Sequence, residues 1–116
     1  MSIDQQIQEV EVNIDDAKKQ VELGKAVERL RQNKDYQLVI GEGYLKDEAL
    51  RHTYLLGDPN LPKDRYEDVQ LSLRGIGELK YFLSFLENRG IFMQEQLHDY
   101  EMTLTELHEE DAHRAE

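Results

Sequence analysis

The C-terminal third of the chain carries the pattern that most limits its fold. From Leu79 to Leu107, apolar or small residues recur in alternating steps of four and three residues, without a change of register. A helix with this spacing presents a continuous apolar stripe, which needs a second helix to cover it. This C-terminal stripe consists of Leu79, Leu83, Leu86, Gly90, Met93, Leu97, Tyr100, Leu104 and Leu107.

A matching N-terminal stripe lies at the other end of the chain. The residues that alternate in the same way are Ile3, Ile7, Val10, Ile14, Ala17, Val21 and Gly24. Ser2 and Gln5 are spaced as a capping box, which predicts that a helix begins there. Residues 10–14 also alternate with a period of two, so a short strand is an alternative, but the helical spacing continues on both sides.

We therefore predict an all-α fold, a small helical bundle whose two long heptad-patterned terminal helices pack antiparallel around shorter middle helices. In that arrangement Gly24 lies beside Leu86 and Gly90, and Ile3 lies near Leu107. The sequence leaves open whether residues 79–107 form one helix or two, because Gly90 could interrupt them. The length of 116 residues predicts a single domain, with an acidic tail that frays over about residues 109–116.

The middle of the chain predicts short elements separated by glycines. Residues 36–40 are apolar and partly β-branched, and a short buried helix is favoured over a strand because no partner strand is evident. Gly41 and Gly43 follow and predict a tight turn or kink. Near Gly75 and Gly77 the apolar spacing slips by one residue, and small residues there would allow a close helix crossing or a bend.

The net charge of −11 is unevenly distributed. Residues 89–116 contain two basic and eight acidic residues. Such a helix repels nucleic acid and attracts basic partners over roughly a Debye length. We predict contact with a protein partner that has a basic surface, and no direct binding of nucleic acid; a solvated face that aids solubility is the alternative. This acidic surface consists of Glu95, Asp99, Glu101, Glu106, Glu109 and Glu110.

A second candidate site is a group of aromatic and charged residues in the middle of the chain. Rings combined with an arginine suit a small-ligand pocket or a protein contact. The alternative is a set of packed tyrosines beside a surface salt bridge. This tyrosine cluster consists of Tyr36, Glu42, Tyr44, Arg51 and Tyr54.

The residue inventory argues against catalysis and metal binding. The chain has no cysteine, which excludes disulfides, thiolate metal sites and cysteine nucleophiles. The histidines lack the spacing of a helical zinc pair, and the acids and serines lie outside catalytic motifs. We expect a protein that is not an enzyme and that uses no metal or cofactor. No apolar run approaches the ~20 residues of a membrane span, and the N-terminus lacks signal-peptide features, so we expect no membrane partner.

Several short motifs lie between residues 14 and 110. They are VELGKAVERL at Val21–Leu30, then Asn33, Asp35-Tyr36, Val39-Ile40, Glu42-Gly43-Tyr44, Glu48-Ala49 and Arg51. These motifs resemble a group of small helical proteins encoded by tailed bacteriophages, which share an LGKAL-ERL segment, an N-x-D-F/Y step, an EGY-x(3)-EA-x-R motif and a loop with D-P. The group has no established activity. The resemblance therefore implies a viral accessory role and assigns no functional residue.

Two functional hypotheses follow. The first is a non-enzymatic phage accessory protein that acts through protein contacts in particle assembly, as a virion component or an assembly factor. The second is an inhibitor of a host defence system, which mimics DNA or sequesters a nucleotide signal at Tyr36, Tyr44 and Arg51. In both cases we expect a protein of the host cytoplasm or of the virion. The length of apolar stripe beyond the middle helices also predicts a homo-oligomer, most simply a symmetric dimer.

Overall fold

The structure is a computed structural model that describes residues 2–115, and it is almost entirely helical. In chain order the elements are α1 (Ile3–Gln32), α2 (Lys34–Tyr36), a π-helix (Gln37–Glu48), α3 (Ala49–Leu56) and α4 (Lys63–Ala115). Residues 2–115 contain no strand, so the predicted all-α class is confirmed, as is the helical interpretation of residues 10–14.

The helices form two compact units. Unit 1 is Met1–Ala26 with Leu86–Glu116, and unit 2 is Val27–Phe85. Helix α4 is continuous from Lys63 to Ala115, so residues 79–107 form one helix that Gly90 does not interrupt. The predicted single domain and the predicted fraying of the tail both concern cooperativity and motion, and they stay predictions.

In unit 1, α1 and α4 pack against each other through their apolar stripes. The core contains Ala17, Val21 and Met93, with Leu97 and Tyr100 packed against it. Burying an aliphatic side chain of this size contributes about 1.5–3 kcal/mol relative to exposing it. The predicted stripe residues of this unit are all buried or half-buried, namely Ile3, Ile7, Val10, Ile14, Ala17, Val21, Gly24, Leu86, Gly90, Met93, Leu97, Tyr100, Leu104 and Leu107.

The two helices of unit 1 run antiparallel, as predicted. A Cβ atom built on Gly24 would lie 3.0 Å from the Gly90 Cα atom and 3.1 Å from the Leu86 carbonyl oxygen. At the other end of the unit, Ile3 lines a shallow depression together with Asp111 and Arg114. The absence of a side chain at both glycines therefore lets the two backbones touch at one end of the pair.

Unit 2 is built from the last turns of α1, the middle helices and the first turns of α4. It buries Val27, His52, Val69, Ile76 and Leu83. The buried Leu83 and the half-buried Leu79 belong to the C-terminal stripe. This stripe therefore contributes buried or half-buried side chains to both units.

Local hydrogen bonds account for the helix ends. The Ser2 N–H donates to Gln5 Oε1 at 3.0 Å and the Gln5 N–H donates to Ser2 Oγ at 3.2 Å, which confirms the predicted capping box. Asn33 caps α2 by accepting from the Tyr36 N–H at 3.0 Å. The Gln37 side-chain amide donates to the Arg31 carbonyl oxygen, one of the acceptors left over at the end of α1.

Two predictions for the middle of the chain are wrong, and at Gly75 and Gly77 one of the two predicted alternatives, the close crossing, is excluded while the bend stays a prediction. Residues 36–40 are helical but not buried, because the π-helix leaves Leu38 and Val39 67% and 61% exposed. Gly41 and Gly43 form no turn and instead continue the π-helix, where no glycine needs a positive φ. The pair Gly75 and Gly77 makes no close crossing, since a Cβ atom on either would meet nothing within 4 Å.

Candidate functional site

The acidic surface lies on the α4 segment of unit 1. All six of its residues, Glu95, Asp99, Glu101, Glu106, Glu109 and Glu110, are exposed. None is held in a salt bridge that would fix its side chain within the described part of the structure. The carboxylates are therefore presented to solvent along about four turns of a rigid helix.

The net charge differs strongly between the two units. Unit 1 contains five basic and fifteen acidic residues, a net charge of −10, whereas unit 2 contains nine basic and ten acidic residues, a net of −1. From the sequence, the excess negative charge is predicted mainly on the last helix and its tail. The fold adds the start of α1 to the same unit, with six further acids that are all exposed: Asp4, Glu9, Glu11, Asp15, Asp16 and Glu22.

The tyrosine cluster is divided among three consecutive helices: Tyr36 ends α2, Glu42 and Tyr44 lie on the π-helix, and Arg51 and Tyr54 lie on α3. In a π-helix each N–H donates to the carbonyl oxygen five residues earlier, which makes the helix wider than an α-helix. Long π-helices are rare, and single π turns are frequent at functional sites. Gly43 fits this geometry, because a Cβ atom there would lie 3.1 Å from the Leu38 carbonyl oxygen. The π-helix is therefore the least ordinary backbone in the chain.

The arginine of the tyrosine cluster, on α3, pairs with the last residue of the π-helix. Arg51 Nε donates to both carboxylate oxygens of Glu48, at 3.2 and 3.3 Å, and Arg51 Nη2 donates to one of them. This hydrogen bond lowers the pKa of the Glu48 carboxyl below its ordinary value of 4.5 and raises the pKa of Arg51. The Arg51 guanidinium, which the sequence suggests as a ligand contact, is therefore paired with Glu48.

His52 is the buried polar residue of this region. Its Nδ1 atom lies 2.7 Å from the Glu48 carbonyl oxygen and 3.4 Å from the Glu48 carboxylate. Because a carbonyl can only accept, Nδ1 carries the proton in this contact. The ring therefore helps to hold the junction between the π-helix and α3.

The five residues of the tyrosine cluster are not brought together as one pocket. Tyr44 lines an open depression of about 430 Å³ with Val39, Ile40, Gly43 and Glu48. Glu42 and Tyr54 are exposed outside that lining, with Tyr54 75% exposed. The predicted grouping is therefore only partial.

One predicted residue of this site, Tyr36, has an unexpected environment, and one site residue, Glu48, is absent from the prediction. The Tyr36 hydroxyl is buried and has no hydrogen-bond partner among residues 2–115, and such an unpaired group costs about 1–3 kcal/mol. Glu48 was overlooked as a site residue. Its spacing of three and four residues from Arg51 and His52 was the available signal.

Residues 2–115 contain neither a cluster of candidate metal ligands nor a helix that could span a membrane. Within residues 2–115, no three side chains of His, Cys, Asp or Glu gather as a set that could hold a metal ion. No helix there combines the length and the apolar character needed to cross a bilayer.

The fold and these surfaces define a class: an all-α protein of two long antiparallel helices with shorter helices between them in the chain, and with its charge concentrated in one unit. Comparisons with protein-family models, with curated proteins and with solved structures find no match.

Proposed function

We propose that this protein is a non-enzymatic accessory protein of a tailed bacteriophage that acts in particle assembly, as a virion component or an assembly factor. Its contact surface is the acidic surface of unit 1, and its partner is a protein with a basic surface. The observation that carries the proposal is the net charge of −10 on unit 1 beside −1 on unit 2.

The charge distribution favours a partner over simple solubility. Solubility requires a net charge but does not require that one unit carry nearly all of it. Repulsion among like charges destabilises a compact unit. Complementary charge on a partner would offset that repulsion and speed the encounter of the two proteins, which is the usual effect of such surfaces.

The test is affinity capture of the tagged protein from infected cells, with two variants of equal charge change. The first neutralises the acidic surface with Glu95→Gln, Asp99→Asn, Glu106→Gln and Glu109→Gln. The matched control neutralises four exposed acids of unit 2 with Glu42→Gln, Asp47→Asn, Glu67→Gln and Asp68→Asn.

We expect the wild type and the unit 2 variant to capture a basic particle or assembly protein, and the unit 1 variant to lose it. We also expect the protein in purified virions or in assembly intermediates. Equal capture by both variants, or absence from both kinds of particle, would contradict the proposal.

The alternative function is inhibition of a host defence protein through mimicry of DNA. The exposed carboxylates of α4 favour it, because DNA also presents a regular series of negative charges. In that case double-stranded DNA would displace the captured partner, whereas a particle protein without a DNA site would stay bound. Sequestration of a nucleotide at Tyr36, Tyr44 and Arg51 has less support, since Arg51 is paired with Glu48.

A further inference from the structure

Helix α4 carries an exposed apolar surface in unit 2 that is separate from the C-terminal stripe. The exposed fractions are 66% for Leu71, 74% for Tyr81, 53% for Phe82 and 49% for Phe85. Contiguous apolar patches on a soluble protein are typical of interaction sites. Tyr81, Phe82 and Phe85 place three aromatic rings within five residues. Aromatic side chains are enriched in the centres of protein interfaces.

The exposed residues share one side of α4. Starting at Leu71, one set of positions again advances in steps of four and three residues, and residues so spaced are neighbours on a helix surface. Each residue turns a helix by about 100°, so this set faces away from the buried Val69, Ile76 and Leu83. We call it the outer stripe, and it consists of Leu71, Gly75, Glu78, Phe82 and Phe85.

Gly75 lies inside the outer stripe and has open space over it. A Cβ atom built there would meet nothing within 4 Å. Glycine is among the poorest residues for a helix interior, and the described residues of one copy contain no contact that requires it at this position. An apolar helix face with a gap in its side chains suits the close approach of a second helix.

We propose that the outer stripe is the contact between two copies of this chain, which pair as antiparallel α4 helices about a two-fold axis near Glu78. Leu71 and Phe85 both lie seven residues from Glu78, so the axis brings Leu71 of one copy to Phe85 of the second copy. It also brings Phe82 over Gly75 of the second copy, a large side chain onto a small one. The stripe is thus complementary to itself, as a two-fold interface must be.

Charge favours a second copy over another occupant at this surface. Unit 2 has a net charge of −1, so the charge of this unit itself hardly opposes contact with its counterpart in a second copy, whereas unit 1 carries −10. The charge of Glu78 at the axis is paired within its own helix, since Arg74 Nε lies 3.3 Å from Glu78 Oε1. A basic partner has no particular attraction to this nearly neutral surface.

The contact differs from the one that the sequence predicted. The sequence predicts self-association through an apolar stripe that extends beyond the middle helices, but all described residues of the N-terminal and C-terminal stripes are at least half-buried within single copies. The outer stripe spans fifteen residues, or about 21 Å of helix. This is a small interface, and small interfaces give dimers that dissociate on dilution.

The experiment is sedimentation velocity of the full chain over a dilution series up to high micromolar concentration. The wild type is expected to change from the monomer mass of 13.7 kDa to a dimer. The double variant Phe82→Glu, Phe85→Glu is expected to stay monomeric, with an unchanged circular dichroism spectrum because both side chains are about half exposed. A control with one such substitution is Met102→Glu, which is 52% exposed on α4 of unit 1 and should dimerise like the wild type.

A second pair of variants separates folding from association. Gly75→Ala and Gly77→Ala bring the same gain in helix propensity, but Gly77 lies off the outer stripe. We expect Gly75→Ala to weaken dimerisation by about tenfold and Gly77→Ala to leave it unchanged. A wild type that stays monomeric, or a dimer that survives Phe82→Glu, Phe85→Glu, would overturn the proposal. The neutralised unit 1 variant should dimerise normally, so this proposal and the proposed function fail separately.

Discussion

At the scale of single residues, the contact between Gly24 and Gly90 determines how closely the two long helices approach. A Cβ atom built on Gly90 would lie 3.0 Å from the Gly24 Cα atom and 3.3 Å from the Gln20 carbonyl oxygen. Both neighbours are backbone atoms of a helix and cannot move without shifting the whole element. A side chain at either glycine therefore forces the helices of unit 1 apart.

Gly90→Ala should for this reason destabilise the protein, although alanine is the better helix former. Overpacking a tight contact costs about 1–3 kcal/mol, which exceeds the gain of about 0.5–1 kcal/mol from replacing a helical glycine. Gly77→Ala is the matched control on the same helix, because its Cβ atom meets nothing, and it should stabilise by about 0.5–1 kcal/mol. Urea denaturation measures both; an increase in stability for Gly90→Ala would mean that the backbones are not in contact.

The pairing of Glu48 with Arg51 makes a prediction about pH. Arg51 holds the pKa of the Glu48 carboxyl below 4.5, so the pair stabilises the fold above that pH and is lost as the pH falls through the lowered pKa. NMR titration of the Glu48 side chain should give a midpoint below 4.5. The Arg51→Ala variant should raise the Glu48 midpoint toward 4.5, and an unchanged midpoint would show that the pair does not persist in solution.

At the scale of elements, the π-helix is the least expected part of the fold. Its two glycines differ in the space around them. A Cβ atom at Gly43 would lie 3.1 Å from the Leu38 carbonyl oxygen, whereas the nearest atom to a Cβ atom at Gly41 would be 3.9 Å away. Tyr36 adds a buried hydroxyl without a described partner at the start of this segment. The segment thus combines an unusual hydrogen-bond register with an unpaired polar group.

Replacing these two glycines should have opposite effects. Gly41→Ala is expected to stabilise the protein by about 0.5–1 kcal/mol, the ordinary gain in a helix interior. Gly43→Ala is expected to destabilise it and to accelerate hydrogen exchange over residues 37–48, because the added methyl group presses on the Leu38 carbonyl. Thermal unfolding and exchange mass spectrometry test the pair. Equal stabilisation by both variants would indicate an ordinary α-helix at this segment.

The contrast between the two long helices and the π-helix indicates what a sequence can predict. The alternation of steps from Ile3 to Gly24 and from Leu79 to Leu107 predicted the antiparallel pair, because burial selects apolar side chains at the helical period. No comparable signal distinguishes a π-helix, since it arises from a shift in hydrogen-bond partners rather than from a residue pattern. The glycines Gly41 and Gly43 therefore predict a turn or kink, and the sequence predicts a surface salt bridge beside the tyrosines only as an alternative, without Glu48 as the partner of Arg51.

At the scale of the whole molecule, charge and apolar exposure are distributed differently over the two units. Unit 1 carries nearly all the net charge, and unit 2 carries the outer stripe with Phe82 and Phe85 exposed. The sequence predicted the acidic end but not this division, because the start of α1 joins unit 1 only through the fold. The two proposals assign one kind of contact to each unit: a basic partner to unit 1 and a second copy to unit 2.

The concentration of charge also predicts how stability depends on salt. Unit 1 has fifteen acidic and five basic residues, and repulsion among the excess negative charges disfavours its folded state. Raising the ionic strength from about 0.1 to 1 M shortens the Debye length from about 10 to 3 Å and screens this repulsion. The melting temperature should therefore rise with sodium chloride, and hydrogen exchange should slow more in unit 1 than in unit 2. Neutralising Glu95, Asp99, Glu106 and Glu109 should raise the melting temperature at low salt and flatten its salt dependence.

The same charge change at Glu42, Asp47, Glu67 and Asp68 should do so much less, because unit 2 has little net repulsion to relieve. A flat salt dependence for the wild type, or equal effects of the two variants, would mean that the acids of unit 1 do not repel one another strongly enough to affect folding.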